Sequence, residues 1–269
     1  MKKTIDFLGI VILLLILSGC NNGQSNTSQE KLATQVRYLD AKIIGMVNRL
    51  NNISFENYTV TSRQVMINSS EEENANGSEE NSITVNEMVP DNVLLADTEN
   101  IDWDTLKQEI ELLKFAWSTI ILNLYSMGIE AEAILGFSRD LDIAIINIRG
   151  QDKRGSLTSL ARLYSYLPRY LENIEEEVVM KHIKETKSFI INAYALVEQR
   201  NWAEVGTNIE AADNAFRNVI NNLEYVRDNE FKVNRAYVLL KELERSLEFR
   251  DSQIFYMNYR NVMQALSII

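Results

Sequence analysis

In 269 residues the chain has one cysteine, two prolines, one histidine and ten glycines, and each shortage excludes something. A lone cysteine, Cys20, rules out an intramolecular disulfide and a cysteine-built metal centre. A lone histidine, His182, cannot supply the two Glu-x-x-His motifs that a di-iron bundle site needs. So few prolines and glycines leave helices with few interruptions, so long helical segments are expected. Cationic side chains are also in deficit: 27 Lys and Arg stand against 38 Asp and Glu, for a net charge of −11. A polyanion is a poor partner for nucleic acid, and no nucleic-acid binding is expected. Glycine-rich phosphate loops, nucleophile elbows and zinc signatures are absent from the sequence as well. No catalytic residue, cofactor or metal ligand set is assigned, and enzymatic activity is not expected.

What is present begins at the amino terminus, MKKTIDFLGIVILLLILSGC. Lys2 and Lys3 form a positive leader, Phe7 to Leu17 an apolar run of about eleven residues, and Ser18-Gly19 a small-residue exit, the pattern of a secretory signal. Crossing a bilayer core of ~30 Å takes about 20 residues, so this run is too short for a membrane span. Leu17-Ser18-Gly19-Cys20 resembles the lipobox of bacterial lipoprotein precursors. The resemblance covers only the first 20 residues. It implies that the Cys20 thiol receives a diacylglyceryl group, that residues 1–19 are removed, and that the membrane becomes a partner through lipid on Cys20. Removal of residues 1–19 takes away Lys2, Lys3 and Asp6, leaving 25 basic and 37 acidic side chains and a net charge of −12.

Residues 20–29, small and polar, are expected to be a flexible tether of at most ~35 Å. Leu32, Val36, Leu39, Ile43, Met46, Leu50 and Ile53 then fall at alternating steps of four and three, which predicts an amphipathic helix over residues 30–53. The pattern fails over residues 54–100. There YTVTSRQVMI and SITV are β-prone enough for a marginal hairpin. SSEEENANGSEENS between them is a low-complexity acidic run with too little apolar surface to order itself. Glu71, Glu72 and Glu73 read as a solvated loop rather than a cation site.

From Trp103 to Met127 the three-four alternation returns, with Asp102 or Asp104 as cap and Gly128 as stop. Residues 130–149 are apolar on two faces, which predicts a central helix with neighbours on both sides. GQDKRGS, residues 150–156, reads as a turn. A long segment from Ser156 to about Arg200 keeps its stripe across Pro168, which predicts a kink there and a break near Glu175 to Val179. Asn201 with Glu204 has capping-box geometry and opens a helix to Val226. Residues 227–230 read as a turn, and the last helix should bend near Arg250 and Asp251.

Six such segments predict an all-α fold, an elongated antiparallel up-and-down helical bundle over residues 101–269 joined by the N-terminal helix and carrying the acidic insertion. The other architecture these segments allow is a solenoid of helical hairpins, because NWAEVGTNIEAADNAF has a tetratricopeptide character, although no 34-residue period recurs. His182 is expected to pair with Glu185 one turn away. Asp140 with Asp142, and Glu130 with Glu132, are two apart and cannot face each other on a helix. Tyr164, Tyr166, Tyr170, Tyr256 and Tyr259 are read as core rather than as a ligand groove. The function expected is that of a lipid-anchored, non-catalytic interaction or scaffold module on the outer face of the bacterial cytoplasmic membrane or another envelope membrane, meeting a protein partner through its helical faces. The alternative is an envelope binding protein for a small solute or cation.

Overall fold

Asp102 starts the strongest of the helices, because its carboxylate accepts hydrogen bonds from both the amide (2.9 Å) and the hydroxyl (2.6 Å) of Thr105. Those bonds hold its carboxyl below the usual carboxylate range. Behind this cap the stripe Leu106, Ile110, Leu113, Trp117, Ile120 and Leu124 is buried as its spacing predicts. Gly128, at φ +73°, ends the run in the left-handed conformation that glycine adopts without strain.

The computed structural model describes residues 21–51, 60–63, 85–88, 101–172, 174 and 177–269. The fold is all-α. Among the described residues the helices are α1 (Asn21–Arg49), α2 (Trp103–Ser126), α3 (Ala131–Arg149), α4 (Lys153–Tyr164), α5 (Leu167–Tyr170), α6 (Val178–Val197), α7 (Trp202–Ile220), α8 (Leu223–Ser246) and α9 (Ser252–Ser267), with a 3-10 turn at Leu247–Phe249. Short turns join most of them, so consecutive helices pack side by side. The chain then folds back on itself: α1 also packs on α4 and α5, and α9 on α6. One continuous apolar core runs through all of these helices.

Several boundaries differ from those the sequence predicts. The helix of α1 starts at Asn21, where composition predicts a tether; extending a nucleated helix costs far less than starting one. The segment around Pro168 is broken, not kinked. Ser165 and Tyr166 form a turn, and Pro168 sits in the first turn of the one-turn helix α5, where its missing N–H breaks no helical bond. The stripe nevertheless stays buried across the break, from Leu157 and Leu160 through Tyr164 and Leu167 to Leu171 and Ile174. The turn predicted at residues 227–230 is instead a kink inside α8 at Asn229, whose φ of −129° and ψ of 21° leave the helical range. The true boundary is at Asn222, whose side chain accepts from the Tyr225 amide at 3.1 Å. Arg250 is left-handed and Asp251 caps α9, giving the predicted bend.

Residues 150–152 form the turn after α3, and Asp152 caps α4 by accepting from the Gly155 amide at 3.0 Å. In the insertion, β1 (Val60–Arg63) pairs antiparallel with β2 (Val85–Met88), Val60 opposite Met88 and Arg63 opposite Val85. Both strands lie in or beside the β-prone stretches. The acidic run 69–82, with Glu71, Glu72 and Glu73, lies outside the described residues, as do residues 1–20, Cys20 among them. No helix among the described residues is long and apolar enough to cross a membrane.

Candidate functional site

The five tyrosines do not form a groove. Tyr164, Tyr170 and Tyr259 are fully buried, Tyr256 nearly so, and Tyr166 half-buried. Tyr170 and Phe137 pack around Trp117, whose ring centroid is 4.1 Å from that of Phe137. Tyr194, which the stripe reading did not single out, lies 4.2 Å from Tyr259 and 4.9 Å from Tyr256. Their hydroxyls are used inside the core. Tyr259 donates to Asn48 at 3.1 Å, Tyr256 to Glu198 at 3.1 Å, and Asn51 donates to the Tyr194 hydroxyl at 2.5 Å. Burial pushes all three phenols above their usual range.

Next to this aromatic group, α6 places two lysines in the interior. Lys184 and Lys187 are each 97% buried and approach one carboxylate, Asp40 of α1, at 2.8 and 3.7 Å. Tyr164 of α4 donates its hydroxyl to the same carboxylate. Burial works against ionisation of Asp40, but Lys187 and Lys184 outweigh it and hold the carboxyl below its usual range. Burial brings Lys187 down to about 8 against the pull of Asp40. Two ammonium groups facing one carboxylate leave an excess positive charge in the core. The four side chains link α1 to α4 and α6. The sequence held a signal for it, since Lys184, Lys187, Ile191 and Tyr194 repeat at steps of three, four and three and form a second buried stripe on α6.

The other acidic candidates are spoken for individually. His182 meets Glu185 at 2.8 Å, as expected. Asp140 is buried and accepts from Tyr166 at 3.0 Å, whereas Asp142 is exposed and pairs with Lys114 at 2.6 Å on α2. Glu130 precedes α3 without a side-chain capping bond, and Glu132 lies in its first turn. Glu177 pairs with Arg37 at 2.6 Å; Glu175 and Glu176 lie outside the described residues. Among the described residues no group of three or more His, Cys, Asp and Glu could hold a metal ion.

An open site exists elsewhere. Between α8 and α9 lies a groove of about 640 Å³, lined by Phe231, Asn234, Arg235, Val238 and Leu239 of α8 and by Asn261 and Gln264 of α9. Phe231, Asn234, Arg235 and Val238 are spaced by a turn of helix and so share one face. Phe231 and Val238 are large apolar side chains left mostly in solvent. Asn234, Asn261 and Gln264 supply amides, Arg235 a guanidinium, and no acidic residue lines the groove. Comparison with protein-family models, curated proteins and solved structures finds no match. The groove can cover apolar surface, donate and accept amide hydrogen bonds, and fork onto a carboxylate through Arg235. No stripe reading isolates it, because Phe231 and Val238 flank the buried Val233, Ala236 and Leu240 and look like scattered surface apolar residues.

Proposed function

We propose that this chain is a lipid-anchored, non-catalytic interaction module of the bacterial envelope, held to the membrane through Cys20 and docking a protein partner in the α8–α9 groove. The observation that carries the docking half is the exposed pair Phe231 and Val238 beside Arg235 in an open groove. Apolar anchors ringed by polar groups are where binding energy concentrates in protein interfaces. The partner this lining fits is an amphipathic helix with apolar residues one turn apart and an acidic residue opposite Arg235. The address rests on Leu17-Ser18-Gly19-Cys20. Each methylene buried in lipid contributes ~0.8 kcal/mol, so two or three acyl chains hold the protein firmly.

Two variants test the two halves. Cys20→Ala is expected to leave the precursor uncleaved and unlabelled by fatty acid; normal processing and labelling would remove the anchor. A photo-cross-linker at position 238 in cells is expected to trap a protein adduct that Phe231→Glu abolishes. Absence of any adduct would remove the docking site.

A second reading, an envelope binding protein for a small solute, is favoured by the groove's volume, which lies within the ~300–1,000 Å³ typical of ligand sites. Arg235 and the lack of acidic lining select an apolar carboxylate over a cation. Thermal shift with medium-chain fatty acids discriminates: a rise in melting temperature that Arg235→Met abolishes supports the solute.

A further inference from the structure

The sequence gives α3 two apolar faces, and only one of them is covered. Ile134, Phe137, Leu141, Ala144 and Ile148 are buried, while Leu135, Ile143 and Ile146 face solvent. α3 has the expected neighbours on both sides, α2 and α4, and Ile145 packs half-buried against the core, but among the described residues nothing covers Leu135, Ile143 and Ile146. The neighbouring helix α2 repeats the situation. Opposite its buried stripe it exposes Leu112, Phe115 and Leu122, which with Thr119 fall at steps of three, four and three.

The two outer faces lie level with each other. Glu111 meets Arg149 at 2.8 Å, Lys114 meets Asp142 at 2.6 Å, and the Trp117 indole donates to Ser138 at 2.8 Å. Rising positions on α2 thus meet falling positions on α3. This ladder puts Leu112 and Phe115 level with Ile146 and Ile143, and Leu122 level with Leu135. Leu112, Phe115, Leu122, Leu135 and Ile146 are between 58 and 78% exposed.

We propose that this α2–α3 face is the contact between two copies of the chain, forming a four-helix interface across a two-fold axis. Three observations select a second copy as occupant. At roughly 200 Å² per large side chain, the five residues leave on the order of 600 Å² open, the upper end of what a monomer usually exposes. With the flanking charged side chains, that approaches the ~800 Å² each partner gives to a stable interface. A three-four-three stripe on a helix is complementary to another helix carrying the same stripe, and α2 itself carries one. The charges on and beside the face, Glu111, Glu132 and Asp142 against Lys114, Arg139 and Arg149, are three of each sign, so a copy turned about a two-fold axis meets no net repulsion there. Their cancellation also leaves the face without the excess of Lys and Arg by which an amphipathic face holds to anionic headgroups.

The inference is independent of the groove between α8 and α9. Its test is sedimentation equilibrium of the full chain in density-matched detergent, beside Phe115→Glu/Leu122→Glu and Phe231→Glu. The parent chain and Phe231→Glu are expected to be dimers, and the double variant a monomer with a dissociation constant raised about 100-fold or more. Both exposed positions sit on the solvent side of α2, so far-UV circular dichroism should be unchanged, and that spectrum separates lost contact from lost folding. A monomeric parent chain at about 100 µM, or a double variant that dimerises like the parent, would overturn the proposal. So would a monomeric parent that binds neutral phosphatidylcholine vesicles through Phe115, which would make the face a membrane contact. Loss of the position-238 adduct with the dimer intact would be a failure of the docking groove alone.

Discussion

Lys187 is held where burial works against its charge. It is buried, sits 3.7 Å from Asp40, and shares that single carboxylate with Lys184 at 2.8 Å. Its pKa falls from 10.5 to about 8 on folding, so the unfolded chain keeps this proton to higher pH than the folded chain does. Stability therefore rises with pH between about 8 and 10.5, and below that window the fold carries a penalty on the order of 3 kcal/mol. Lys187→Met is expected to raise stability by about 1–3 kcal/mol at pH 7, with the advantage fading towards pH 10. Urea titrations at pH 7 and pH 9.5 measure both, and a destabilised variant at pH 7 would contradict the account. Asp40→Ala acts in the opposite direction, costing about 3–5 kcal/mol, because it strands two buried ammonium groups. The sign for Asp40 itself is that of a depressed carboxyl: its contribution is complete above the ordinary carboxylate range and is lost as pH falls.

At the scale of the element, α3 shows how a residue that weakens a helix can strengthen its packing. Gly136 lies inside the helix, where alanine would ordinarily add about 0.8–1 kcal/mol of helix propensity. A Cβ there would stand 2.6 Å from the Tyr166 hydroxyl oxygen and 3.1 Å from its ring carbon Cζ. Tyr166 would have to move, giving up its bond to the buried Asp140 and its edge contact with Phe137 at 5.9 Å. Gly136→Ala is accordingly expected to destabilise by about 1 kcal/mol, and the same change in a Tyr166→Ala background to stabilise. Thermal melts of the four chains close the cycle; additive effects would show that Tyr166 does not constrain Gly136. The helices were legible from their stripes and caps, with Asp102 and Asn201 capping where the pattern places them. The ends around Pro168 and Asn222 were not, because the apolar stripe stays packed against the core through both breaks, to Ile174 past Pro168 and to Val226 past Asn222.

In the whole molecule, α1 is held far along the chain by polar contacts rather than by adjacency alone. Arg37 reaches Glu177, Asp40 reaches Lys184, Asn51 reaches Tyr194 and Asn48 reaches Tyr259. Together with one continuous core, they couple the first helix to the last. Unfolding followed by tryptophan fluorescence, with Trp103 and Trp117 in α2 and Trp202 in α7, is expected to coincide with loss of helical circular dichroism. Separate midpoints would mean that the two ends of the helix array melt independently.

The sequence by itself determined the all-α class, the apolar face of nearly every helix, the caps at Asp102 and Asn201, and the Leu17-Ser18-Gly19-Cys20 pattern from which the membrane address is proposed. All of these are written in spacing along one chain or in a short contiguous motif. Only the tertiary structure decided that Asp40 meets Lys184 and Lys187 inside, that Leu112, Phe115, Leu122, Leu135 and Ile146 stay exposed, and that Phe231 and Val238 flank a groove. The reason is that periodicity tells which side chains share a face, whereas burial depends on what the rest of the chain brings opposite that face.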